Sequence, residues 1–369
     1  MKLDNSQQAF FALVRAGLWE REVRLAPFEK IDYQEVYRLA EEQSVLGLVT
    51  AGLDHVVDVK VLQEEVLQFV GNTLQLEQAN LTMNGFVAQL IRKLRKYDIY
   101  ALLIKGQGIA QCYERPLWRV SGDIDLLLDA NNYAKAKAYC ESISDSIATE
   151  TIKNKERLHQ EYQIGDWIVE LHGTMHADLS RRMDRVIDQV QDETFSKKQV
   201  RVWKNKDVDV ALPSPDNDVI FVFSHILQHL FFEGIGLRQI CDWCRLLWSY
   251  KDSIDKCLLE ERLCKMGVMS EWKVLAAFAV KYLGMPEEAM PLNAGESSWE
   301  RKADRICSFV MEVGNFGHNR DVEWSNPFKR RSMLIWHRIA DTVRLSFVFP
   351  FDAPTFLMNY AFDGVRRIH

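Results

Sequence analysis

Residues 102–129 read LLIKGQGIAQCYERPLWRVSGDIDLLLD, and the last third of that stretch sets the problem. Two aspartates, Asp123 and Asp125, stand at the mouth of an apolar strand formed by Ile124, Leu126, Leu127 and Leu128. Side chains at i and i+2 of a strand share a face, about 6.5–7 Å apart. At an effective dielectric near 20, two carboxylates at that distance repel by on the order of 2–3 kcal/mol, and partial burial adds a desolvation penalty. Arg115 and Arg119 are close enough in sequence to relieve the repulsion by pairing. A divalent cation relieves it more completely, because Mg²⁺ takes one or two carboxylates together with substrate phosphates.

A third acid follows on a later strand. HQEYQIGDWIVELHG reads as a hairpin turning at Gly165-Asp166. Alternation in its second arm sends Val169 and Leu171 into the core and Glu170 and His172 to the opposite face. Beside the aspartate pair, Glu170 completes a three-carboxylate cradle of the kind that holds two metal ions for phosphoryl chemistry. Two other Asp-x-Asp pairs lack this setting. Asp216 and Asp218 follow Pro215 and open a helix, where they favour its dipole. Asp207 and Asp209 alternate with Val208 and Val210 on a hairpin strand and face solvent.

Around this centre the chain falls into three segments. Residues 1–97 read as helical: YQEVYRLAEEQSVLGLVTAGL carries Val36, Leu39, Val45 and Leu48 at helical intervals, and a second pattern runs from Val61 to Lys96 with Gly71 and Gly85 as candidate breaks. Residues 98–213 mix strands and helices. Ile99–Ile104 is a short apolar run bounded by charge and glycine, hence a buried strand. IAQCYER suits a brief helix, NNYAKAKAYCESI a longer one capped by Asn131 or Asn132, and QVRVWKNKDVDVAL a second hairpin. From 214 to 369 the pattern is helical again, with loops near 284–286 and 315–328. The fold class expected is α+β, a mixed β-sheet core flanked by N-terminal and C-terminal helical segments.

Composition narrows the function classes. With 369 residues and 47% hydrophobic content the chain buries a large core. Its 46 basic and 52 acidic residues leave a net charge of −6, which argues against general nucleic-acid binding and for a small substrate or a protein partner. The seven cysteines form no framework. Cys241-Asp-Trp-Cys244 lies in an apolar helical pattern and reads as core packing, so a reducing cytoplasm is the expected setting. The start, MKLDNSQQAF, lacks the apolar run of a signal peptide. No stretch of 18 apolar residues predicts a membrane span.

The combination LLIKG…Y…R…GDIDLLL…VELH resembles the nucleotidyltransferase fold of the DNA polymerase β superfamily. Within it, the chain is similar to a family of uncharacterised bacterial nucleotidyltransferase-like proteins. SHILQHLFFEGIGLRQICDWCRLL resembles the helical part that follows in that family, so the likeness covers about residues 98–250. It implies an enzyme that moves a nucleotidyl group from an NTP to a hydroxyl of a small-molecule or protein acceptor with Mg²⁺ or Mn²⁺. By position, Asp123, Asp125 and Glu170 would be the metal ligands, Glu170 also serving as ligand or base. Lys105, Gly106, Gln107, Arg119 and Gly122 would surround the nucleotide, with Gly106 as the turn glycine whose following N–H groups approach phosphate. Two departures stand out: Gln107 occupies the usual serine position, and 16 residues separate Gly106 from Asp123.

Other assignments compete with these. The acids also suit a structural ion-pair network, and Gln107 favours a non-catalytic module of the same fold that binds a nucleotide or a protein partner. Lys105 divides between phosphate contact and snorkelling from a strand end, and Arg119 between phosphate and the acids. His225 and His229, four apart on an apolar helix, read as packing or as a pocket wall. A zinc site with His172 and His176 is the weaker alternative, because the glutamate of a metalloprotease motif is missing. Arg238 and Asp242 are spaced for a helix ion pair, and the resemblance turns them, with His172, towards the cleft.

Overall fold

A computed structural model describes residues 3–147, 159–293, 295–314 and 327–366. The first segment holds α1 (Asn5–Trp19), α2 (Tyr33–Glu42), α3 (Leu46–Asp54) and α4 (Gln63–Lys96). The central segment runs β1 (Leu102–Ile104), α5 (Gly106–Ala110), β2 (Ile124–Leu127), α6 (Ala130–Ile143), β3 (Ser146–Ile147), β4 (His159–Ile164), β5 (Trp167–His172), α7 (Arg181–Ser196), β6 (Val200–Asn205) and β7 (Val208–Pro213). Helices follow: α8 (Pro215–Phe232), α9 (Leu237–Ser249), α10 (Lys256–Met266), α11 (Met269–Leu283), α12 (Ser297–Val313), α13 (Pro327–Ser346) and α14 (Asp352–Arg366). The expected α+β class, a small mixed sheet with helices at both ends, is what the chain adopts.

Five strands form the sheet in the order β1-β2-β5-β4-β3. β2 and β5 run parallel, and their neighbours pair antiparallel. Alternation along β2 splits its side chains between two cores. Ile124, Leu126 and Leu128 join Val169, Leu171, Tyr162 and the second half of α4 on one face. Leu102, Ile104 and Leu127 belong to the other, larger core. Asp125, Glu170 and His172 therefore point to the side occupied by α8 and α9.

The larger core joins α1, α2 and α3 to α8–α12 without interruption. Its tightest seam is the crossing of α1 and α3. A Cβ added at Gly17 would lie 1.9 Å from the Leu48 carbonyl oxygen, and one at Gly52 would lie 2.1 Å from that of Leu13. Only hydrogen fits between these backbones.

Several local expectations are corrected. The pattern at 33–53 is two helices: Ser44 takes φ 55, and the buried Gln43 side chain is held by the Leu237 N–H and the Val310 carbonyl. Conversely, α4 runs unbroken through Gly71 and Gly85, whose weak propensity is offset by the packing of Phe69, Met83, Val87 and Leu90. Asp129, not Asn131 or Asn132, caps α6 by accepting from the Asn132 N–H. Asp218 is buried against Arg201 as well as sitting in the first turn of α8. Of the loop expected at 315–328, residues 315–326 lie outside the described residues. No helix among the described residues is long and apolar enough to cross a membrane.

Candidate active site

A cleft of about 310 Å³ opens between the sheet and the helices α8 and α9, within the size range of small-molecule sites. Its floor is set by strand register. Asp125 pairs with Ile104 of β1 on one side and with Glu170 of β5 on the other. Asp123, just before β2, completes the group: one oxygen from each of Asp123, Asp125 and Glu170 falls within 4.8 Å of the others.

The turn from β1 to α5 brings a cation onto this floor. Lys105 takes φ 53 and Gly106 φ 36. A Cβ at Gly106 would meet nothing closer than the Asp123 carbonyl oxygen at 3.5 Å, so backbone conformation rather than space calls for glycine there. A positive φ at lysine costs on the order of 1–3 kcal/mol, and here it directs Lys105 Nζ to Asp125 Oδ1 at 3.1 Å. His172 Nε2 lies 2.7 Å from the same oxygen and 3.3 Å from Glu170 Oε2. The neutralising partners are thus Lys105 and His172. Arg115 pairs with Glu20 and Asp54 instead, and Arg119 with Asp242.

These contacts move Asp123 and Glu170 in opposite directions. Burial, then the charges of Asp125 and Glu170, push Asp123 up to about 7. Burial also opposes ionisation of Glu170, but hydrogen bonds from His159 and His172 prevail and hold it well below the usual carboxylate range. For Lys105 the acids outweigh the burial that disfavours its charge, and its pKa rises. His172 rises too, the Asp125 and Glu170 hydrogen bonds overcoming burial and the nearby lysine. Crowded carboxyls raise the pKa of the member with the fewest donors, here Asp123. An all-oxygen donor set suits a hard divalent cation, so the residues fit the metal that the resemblance implies.

Five of the nine histidines line this cleft, which makes imidazole the main partner of its acids. His229 Nδ1 lies 2.9 Å from Glu233 Oε2, and His225 and His229 meet through their Nε2 atoms at 2.9 Å. Burial, reinforced by Lys105, His229 and His172, pushes His225 well below its ordinary value, so it is neutral at pH 7. The zinc grouping of His172, His176, His225 and His229 does not form among the described residues. The clusters spaced for an ion are His159–Glu170–His172, His176–Asp178–Asp184 and the carboxylate trio.

Four further residues take these places. Gln107 turns its side chain away from the cleft, buried, with Nε2 donating to Asn80 Oδ1 at 3.0 Å and Oε1 accepting from Ser121 at 3.3 Å. Arg119 reaches the wall, but Asp242 holds it bidentately. Arg238 faces the cleft without pairing to Asp242; its Nη1 donates to the Val120 carbonyl at 3.1 Å. Gly122 lines the rim, with nothing within 4 Å of an added Cβ. His159 was missed altogether. A two-residue turn at Gly165-Asp166 pairs Ile164 with Trp167, and counting back pairs His159 with His172. The rings stack 4.7 Å apart.

Comparison with known proteins adds one finding. The model of a family described as "Uncharacterised nucleotidyltransferase" matches residues 29–284, more than half of the chain. That range takes in the sheet, the cleft, most of the first helical segment and a little under half of the last. Neither a curated protein nor a solved structure matches.

Proposed function

The chain belongs to the uncharacterised nucleotidyltransferase family, and from that premise we propose that it moves a nucleotidyl group from an NTP to a hydroxyl of a small-molecule or protein acceptor, with Mg²⁺ or Mn²⁺. The convergence of Asp123, Asp125 and Glu170 within 4.8 Å, on the floor of a cleft walled by cations, carries this reading. These three acids would hold the divalent ion. Bound there, it supplies Lewis acidity and charge neutralisation for the phosphates.

The chain's own groups prepare that site. Lys105, pinned by the strained turn, offers a point charge at the level of the acids, and Gly106 and Gly122 keep the approach open. His172 orients Asp125 and Glu170 through its one Nε2 atom. Glu170, held ionised by His159 and His172, suits a metal ligand better than a base, since a lowered pKa weakens its basicity. Asp123 would hold the ion in its deprotonated form. Purified protein supplied with Mn²⁺, each NTP and candidate acceptors should release pyrophosphate. Asp123→Asn combined with Asp125→Asn should abolish release without unfolding the protein. Equal release by that double variant removes the proposal.

A second reading rests on Asp125 Oδ1, which already receives both Lys105 and His172. A site neutralised by its own side chains suits a module that binds a nucleotide or a protein partner without turnover. NTP binding with no product across many acceptors would select it.

A further inference from the structure

The acids line the cleft, and so do two guanidinium groups, Arg119 and Arg238. Asp242 and Asp123 both attract Arg238, but Asp242 bonds to Arg119 and Tyr113 instead. Asp242 Oδ1 accepts from Arg119 Nε at 2.8 Å and from Tyr113 OH at 2.7 Å, while Oδ2 accepts from Arg119 Nη2 at 2.7 Å. Arg238 is left with a neutral partner, the Val120 carbonyl, which also receives Arg119 Nη1 at 3.1 Å. Its enclosed Nε–H has no acceptor among the described residues, and it forms no ion pair there. Burial and the neighbouring Arg119 lower its pKa against the attraction of Asp242 and Asp123. A guanidinium stays charged regardless, and an uncompensated cation enclosed in protein is unfavourable unless an anion joins it.

We propose that Arg238 is an anion subsite that takes a phosphate group of the substrate, in the same cleft as the metal-binding acids. It rests on the nucleotidyl-transfer reading for the identity of that substrate, but not for the anion itself. The guanidinium group lining the cleft offers a phosphate planar, charged N–H donors. Arg119, held bidentately by Asp242, keeps Arg238 from turning back to that carboxylate. The phosphate comes either from the triphosphate of the NTP or from a phosphorylated acceptor.

Titration calorimetry of the full chain with inorganic tripolyphosphate in EDTA tests the subsite directly. Wild type should bind, Arg238→Met should bind about tenfold or more weakly, and Arg238→Lys should fall between, as a charge without the fork. Equal affinity in wild type and a folded Arg238→Met, or no binding by wild type, overturns the subsite. If Arg238→Met does not fold, phenylglyoxal labelling of wild type decides: tripolyphosphate should slow modification of Arg238, and an unchanged rate overturns the proposal. With Mn²⁺ present, weaker NTP binding by Arg238→Met assigns the phosphate to the nucleotide. Unchanged NTP binding with lost tripolyphosphate binding assigns it to the acceptor. Should wild type bind tripolyphosphate through Arg238 yet turn over no NTP, the transfer reading falls and the subsite stands.

Discussion

Asp123 keeps its proton up to about 7 in the folded chain, against 3.8 for a free side chain, because burial and two neighbouring carboxylates oppose its charge. Across that interval the folded chain binds a proton that the unfolded chain has released, so stability falls as pH rises. His172 acts in the same direction: with its folded pKa raised above 6.5, its contribution is complete below 6.5 and is lost as pH climbs through the folded value. In EDTA, the urea midpoint should drop between about pH 5 and about pH 8, and Asp123→Asn should flatten the drop. A wild-type midpoint as high at the upper pH as at the lower contradicts this. Mn²⁺ at the upper pH should restore the midpoint in wild type but not in the double aspartate variant. His172→Gln, which removes the group orienting two ligands, should weaken Mn²⁺ binding by roughly 10–100-fold, read by calorimetry. The acids themselves were legible in the sequence, because i, i+2 spacing and strand alternation fix which face a side chain takes. Their partners were not. Arg115 and Arg119 are nearest in sequence, yet Lys105 wins through a positive φ and His172 through register.

Element boundaries separate local from non-local causes. The β4–β5 hairpin follows its turn residues, Gly165 taking φ 58, and strand alternation carries through to the cleft. The split of α2 from α3 depends on Gln43 finding partners on α9 and α12, nearly two hundred residues or more away in sequence. Periodicity at 33–53 carries no trace of those partners. The α1–α3 crossing makes a sharp prediction. Gly17→Ala places a methyl against the Leu48 carbonyl, a backbone atom that cannot swing aside, and should destabilise the protein by about 1–3 kcal/mol in urea titration. An unchanged midpoint would show that the two helices separate freely. Between the last two helices the chain meets the core unevenly: Phe347 and Phe351 are exposed while Val348 and Phe349 are buried.

The helices before and after the sheet meet in one core, and Arg245 fastens them. This buried arginine on α9 donates to the Leu18 carbonyl at the end of α1 at 3.0 Å, to the Cys112 carbonyl after α5 at 2.7 Å, and pairs with Glu114 at 3.0 Å. Arg245→Met should cost about 1–3 kcal/mol, because it takes the side-chain donor from the Leu18 carbonyl and leaves the Cys112 carbonyl with Ser249 alone. Wild type should unfold in one calorimetric transition. Two separable transitions would mean that the flanking helices are stable apart from the sheet.

Local chemistry in the chain determines the class of fold, the carboxylate trio and the family, since strand alternation, turn residues and a motif within 28 residues are all short-range properties. Tertiary structure alone decides which cation serves which acid, that Gln107 turns inward, and that Arg238 is left without a counter-charge. The reason is physical: pairing energies fall off within a few ångströms, and sequence separation does not report distances of that order once a chain has folded back on itself.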